Sequence, residues 1–63
     1  MDKGRYIKLN GKKYYYEGTY PSALAARITG IAIYQRTKKL YYVRPMAYGY
    51  ITPRYNYKLY IEG

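Results

Sequence analysis

Five tyrosines and three lysines share the stretch YIKLNGKKYYYEGTY, residues 6–20, with Glu17 as its only acid. Rings beside ammonium groups suit one chemistry above others. Lys and Arg neutralise phosphates and release counterions, while tyrosine offers a face for stacking an unpaired base and a hydroxyl that reaches a phosphate oxygen. Tyr6, Lys8, Lys12, Lys13 and Tyr15 are the candidates for such a surface, and Arg36, Lys38 and Lys39 form a second basic cluster. Each has a plainer reading, a solvated strand face whose lysines blunt an edge and a polar turn kept soluble by its charge.

Catalysis finds little support in the same inventory. General acid and base work needs positioned groups that titrate near the working pH, and the chain has neither His nor Cys and only Asp2, Glu17 and Glu62 as acids. Ser22, the one serine, has no histidine base and suits the first turn of a helix. The six glycines are scattered, so no phosphate-cradling loop is evident. No enzyme activity, cofactor or metal is expected.

Twelve Lys and Arg against three acids leave a net charge of +9, a statement about partners and solubility. With so few acids, most cations have no internal partner, and an acidic polymer is the expected one. Sixty-three residues make a single small basic domain with a thin core. Six isoleucines, four leucines and one valine are too few to fill it, so several of the thirteen tyrosines must take core positions. Neither a signal-peptide pattern nor an apolar run near the roughly 20 residues that span a bilayer is present, and the absence of disulfides favours a cytoplasmic home, or the inside of an infected host cell for a virus-encoded protein.

The elements that must position these groups are partly legible. Asn10-Gly11 between two β-rich runs predicts a two-residue type I′ hairpin, pairing Leu9 with Lys12, Lys8 with Lys13, Ile7 with Tyr14 and Tyr6 with Tyr15. Alternation then assigns Ile7, Leu9, Tyr14 and Tyr16 to a core face, and Tyr6, Lys8, Lys13 and Tyr15 to the opposite one. Residues 19–30 read as a short helix capped near Thr19 or Tyr20, with Pro21 in its first turn, Leu24 and Ile28 on its buried face and Gly30 closing it. Beyond it, the alternation of IAIYQ and the poor helix propensity of Thr29, Gly30, Ile31 and Ile33 favour a second hairpin, residues 31–35 with 40–44, turning through Arg36 to Lys39. A longer helix to about Lys38 is the alternative, because Leu24, Ile28, Ile31 and Gln35 continue one stripe.

Pro45, Gly49 and Pro53 predict an irregular connection over 45–54, with Tyr48, Tyr50 and Ile51 folded over an edge. The final run YNYKLYIE alternates cleanly, placing Tyr55, Tyr57, Leu59 and Ile61 inward and Asn56, Lys58 and Tyr60 outward. The expected fold is α+β, a small mainly antiparallel sheet with one short helix, of order ββαβββ, or ββαββ with the longer helix.

Residues 20–30, YPSALAARITG, resemble the helix signature of RAMA-type domains, in which a Pro-Ser-Ala-x-Ala helix ends at a glycine. That resemblance implies engagement of DNA and transfers no residue role, since Ile31-Ala32-Ile33-Tyr34 stands where an Asn-Gly-Trp stretch usually follows. In size and charge the chain is also similar to small basic chromatin proteins of thermophilic archaea. The expected function is therefore non-enzymatic nucleic-acid binding, DNA before RNA. The rivals are a ribosomal or other RNA-binding protein and a small module, such as a viral inhibitor, that docks on an acidic protein; oligomeric state is open.

Overall fold

A computed structural model describes residues 5–49 and 54–63. Its elements run β1 (Tyr6–Leu9), β2 (Lys12–Tyr20), α1 (Ala23–Thr37), β3 (Tyr41–Tyr48) and β4 (Arg54–Glu62). This is a small α+β fold of order ββαββ. The four strands form one antiparallel sheet in the order β1-β2-β4-β3, so β2 and β3 run parallel with β4 between them, and α1 supplies the crossover such a pair needs.

Asn10 and Gly11 have φ of 51° and 80°, as a type I′ turn demands, and the four expected pairs from Leu9↔Lys12 to Tyr6↔Tyr15 are all present. In β2 the ladder slips between Tyr16, opposite Tyr60, and Gly18, opposite Leu59, leaving Glu17 as the extra residue of a bulge. The slip reverses the alternation. Tyr14, Tyr16 and Thr19 share one face, and Tyr15, Gly18 and Tyr20 share the other.

The helix is the main departure from expectation. Ser22 is its N-cap, accepting a hydrogen bond from the Ala25 N–H at 3.1 Å, so the cap lies two or three residues beyond Thr19 and Tyr20 and Pro21 precedes the helix. It runs through Gly30 and ends only at Lys38, whose left-handed φ of 62° closes it while its N–H donates to the Tyr34 carbonyl. There is no second hairpin over 31–35 and 40–44; Arg36 to Lys39 form the last helical turn and cap. Tertiary packing overrides the propensity of Thr29 to Ile33. The missing side chain of Gly30 admits the ring of Tyr41, for a Cβ there would stand 2.6 Å from Tyr41 Cγ.

This contact also decides which side of α1 faces in. Ala26 and Gly30 are buried, whereas Leu24 and Ile28 are 65% and 57% exposed, the reverse of the expected buried face. By register Tyr41 lies in one row with Ile61, Tyr15 and Tyr6, so the helix covers that face, chiefly over β3 and β4. Leu59, on the same face, is fully buried. The hairpin face assigned to the core, with Ile7, Leu9, Tyr14 and Tyr16, is the one that α1 leaves open, yet Tyr14 is buried as expected, at 8% exposure. Two further expectations are corrected: Tyr60, expected outward, is 7% exposed although it stands on the open face, and Tyr55, on the helix side as expected, is 53% exposed. Pro45 to Tyr48 continue β3, an edge strand in which proline loses no ladder bond on its solvent side. Tyr50 and Ile51 lie outside the described residues.

Gly30→Ala is expected to lower the thermal unfolding midpoint. Alanine gains up to about 1 kcal/mol over glycine inside a helix, but forcing a methyl against the base of the Tyr41 ring costs about 1–3 kcal/mol. A raised midpoint in a thermal melt would mean that helix and ring separate freely.

Candidate functional site

The helix-free face is built from three rows of side chains that the ladder places across the strands. The first runs Arg5, Tyr16, Tyr60, Tyr42, and beside it runs Thr19, Lys58, Arg44. On the other side lie Ile7, Tyr14 and Glu62, ending at Leu40. Among the described residues, no helix or strand packs over these rows.

Their chemistry is uneven in a way that assigns roles. Tyr60 is a floor: the Tyr16 ring meets it edge-on, centroids 6.0 Å apart at 68°, and its own exposure is 7%. Arg5 stands 5.9 Å above the Tyr16 ring, and the Tyr16 hydroxyl shares a 2.6 Å hydrogen bond with Thr19 Oγ1 across the bulge. Tyr42, 38% exposed, is therefore the ring in this row with a free face. Arg44 beside it is exposed and Lys58 is half-buried. Like charges on adjacent strands oppose each other directly here, an arrangement that costs stability unless an anion sits between them. Arg54 extends the charge along β4.

The residues singled out from the sequence are in two other places. Tyr6, Lys8, Lys13 and Tyr15 do share a face, but it is the helix-covered side of the sheet, at the hairpin edge beyond the helix. There the Tyr6 and Tyr15 rings pack at 5.7 Å, Lys13 Nζ lies 4.9 Å from the Tyr6 ring centre, and Tyr15 closes against Gly63. Tyr6 and Lys8 remain exposed, so this is a smaller aromatic and basic patch at the back of the open face. Lys12 projects to the opposite side from Lys8 and Lys13.

Lys12 and Lys39 come together at one end of the sheet, with Arg36 and Lys38 in the last turn and cap of α1. Glu62 joins them: its Oε1 accepts from the Leu40 N–H at 3.1 Å and its Oε2 pairs with Lys12 Nζ at 3.2 Å. Lys38 instead covers its own Tyr34 ring at 5.6 Å. The bond from Leu40, and after it Lys12, hold the Glu62 carboxyl below its ordinary value of 4.5, with Lys39 adding to the field.

Arg5, Tyr16, Tyr42, Arg44, Arg54 and Lys58 were not selected from sequence. Strand alternation flags Lys58 as outward, but only the pairing of β4 between β2 and β3 brings Tyr42 and Arg44 beside it. Among the described residues there is no cluster of acids able to hold a metal, and no helix is long and apolar enough to cross a membrane. No protein-family model matches the chain, and no curated protein or solved structure is significantly similar to it.

Because the Glu62 carboxyl is depressed in the folded state, its contribution to stability is complete above the ordinary carboxylate value and lost as pH falls through the lower folded value. Thermal midpoints measured from neutral pH into the acid range should therefore fall more in the native chain than in Glu62→Gln. Parallel acid profiles would remove the Leu40 and Lys12 contacts from the stability of this end of the sheet.

Proposed function

We propose that this chain is a non-enzymatic nucleic-acid-binding protein, with DNA as the first polymer to test, and that it binds on the helix-free sheet face. One observation carries the reading: the row holding Tyr16, Tyr60 and Tyr42 lies against the row holding Lys58 and Arg44, on a face where the Glu62 carboxylate is already tied to Lys12 and Leu40. Arg44, Lys58 and Arg54 contact phosphates, and Tyr42 stacks on a base. Tyr60 and Tyr16 hold the platform flat. The basic end of the sheet, with Lys12, Arg36, Lys38 and Lys39, extends the track for a second stretch of backbone, while Lys8 and Lys13 serve steering at the rear edge.

The scarcity of groups for proton transfer supports a binding role over a catalytic one. Glu17 sits exposed on the bulge, Glu62 is engaged, and Ser22 is spent as the helix cap.

Fluorescence-anisotropy titrations against labelled duplex DNA, single-stranded DNA and folded RNA at several salt concentrations test the proposal. Binding should weaken steeply with salt, and Arg44→Gln with Lys58→Gln should flatten the log K against log salt slope by about 1.4 for single strands or 1.8 for duplex. Lys8→Gln with Lys13→Gln should flatten it less. Tyr42→Ala should weaken single-strand binding by about 1–3 kcal/mol, with Tyr42→Phe close to the native chain. Absence of binding at physiological salt refutes the function, and an unchanged slope in the Arg44 and Lys58 variant moves the interface elsewhere. Stronger binding to folded RNA would make RNA the polymer.

A further inference from the structure

Along β3 and β4 the open face changes character in steps. Arg54 is followed on the same side of β4 by Asn56, Lys58 and Tyr60, and Met46, Arg44 and Tyr42 stand opposite the last three on β3. The order along the strands is thus a cation, a neutral pair, a cation pair and an aromatic pair. Asn56 and Met46 are half-buried and form a floor, whereas Arg54 and Arg44 are exposed on either side of it.

We propose that this track takes a single strand in preference to a duplex. The strand lies along β3 and β4 with an unpaired base on Tyr42, the adjoining phosphate between Arg44 and Lys58, and a further phosphate at Arg54. The inference rests on the nucleic-acid reading above and names the form of polymer that the face fits.

Spacing carries the assignment. Two residues along a strand cover about 7 Å, and directly opposed residues lie roughly 5 Å apart. The Tyr42 ring and the pair of Arg44 and Lys58 are therefore separated by the reach of one nucleotide from base to phosphate, and a single phosphate fits between the opposed cations. From that pair to Arg54 is four residues of β4, about 13 Å. The nucleotides between the two phosphate positions lie over Met46 and Asn56, where the Asn56 amide meets a base edge.

Relief selects the single strand. A duplex hides its base faces, and a side chain reaches them only by wedging between base steps. Tyr42 does not stand proud enough for that: it is 38% exposed, in a row with Tyr60 at 7%. It lies instead at the rim of the sheet, on an edge strand with no described strand on its outer side, open to a base that is already unpaired. A duplex would use the cations alone, and the neutral step between them would contribute nothing.

Fluorescence anisotropy of the native chain against three labelled probes is the test: a short mixed-sequence DNA strand, the same strand in duplex, and the same strand built from stable abasic residues. The intact single strand should bind most tightly, and removing its bases should weaken it by about 5- to 150-fold. Tyr42→Ala should lose a similar factor on the intact strand and none on the abasic one. Arg54→Gln should flatten the log K against log salt slope for the single strand by about 0.7. Duplex held as tightly as the single strand overturns the inference and leaves the proposed function standing, as does an abasic strand held as tightly as the intact one. An unchanged slope in Arg54→Gln overturns the path along β4. No binding to any of the three probes at physiological salt is the failure of the function itself, and the inference falls with it.

Discussion

With no Cβ on Gly30, the backbone of α1 comes down onto the ring of Tyr41, and that close approach sets the orientation of the layer above the sheet. Ala26, one turn earlier on the same side of the helix, is completely buried. A helix anchored through its small residues must turn its large ones away. Leu24, Ile28 and Ile31 therefore point to solvent, and the core between helix and sheet is filled from the sheet side by Tyr41, Leu59 and their neighbours. Aromatic rings supply the volume that scarce aliphatics would otherwise provide, which is how a chain with one valine and four leucines closes a core at all.

The bulge at Glu17 has a comparable reach. One extra residue in β2 changes which side chains share a face, so Tyr16 and Thr19 both stand on the open side and join hydroxyls across the irregularity. Without it, Gly18 and Tyr20 would lie beside Tyr16, and Thr19 would turn toward the helix. The basic row of Lys58 and Arg44 would then meet Gly18 on β2 in place of the Thr19 hydroxyl. Bulges of this kind re-aim side chains at the cost of one ladder position.

Charge is distributed around these constraints and does not create them. A single acid, Glu62, organises the cations at the end of the sheet, through a backbone N–H at the start of β3 and an ammonium from the first hairpin turn. A surface pair of this sort adds little stability by itself. Its effect is on field: with its oxygens held by Lys12 and the Leu40 N–H, the Glu62 carboxylate opposes an anion on the open face less.

Local chemistry was enough to read the first hairpin from sequence, because Asn10-Gly11 specifies a turn whose geometry dictates register residue by residue. The alternation of β4, the α+β class and the concentration of positive charge were legible for the same reason: each is a property of neighbours along the chain. The helix beyond Gly30 was not, since Gly30 and the β-branched Thr29, Ile31 and Ile33 argue against a helix and only the Tyr41 ring, eleven positions later, makes a mid-helix glycine favourable. Nor was the make-up of the open face. Sequence alternation separates the two sides of a strand but says nothing about which side of one strand aligns with which side of another, and a one-residue bulge inverts the answer. The pairing of Tyr42 and Arg44 with Tyr60 and Lys58, and of those with Tyr16 and Thr19, exists only once β4 is inserted between β2 and β3, because hydrogen-bond register between distant segments is fixed by packing of the whole sheet against the helix.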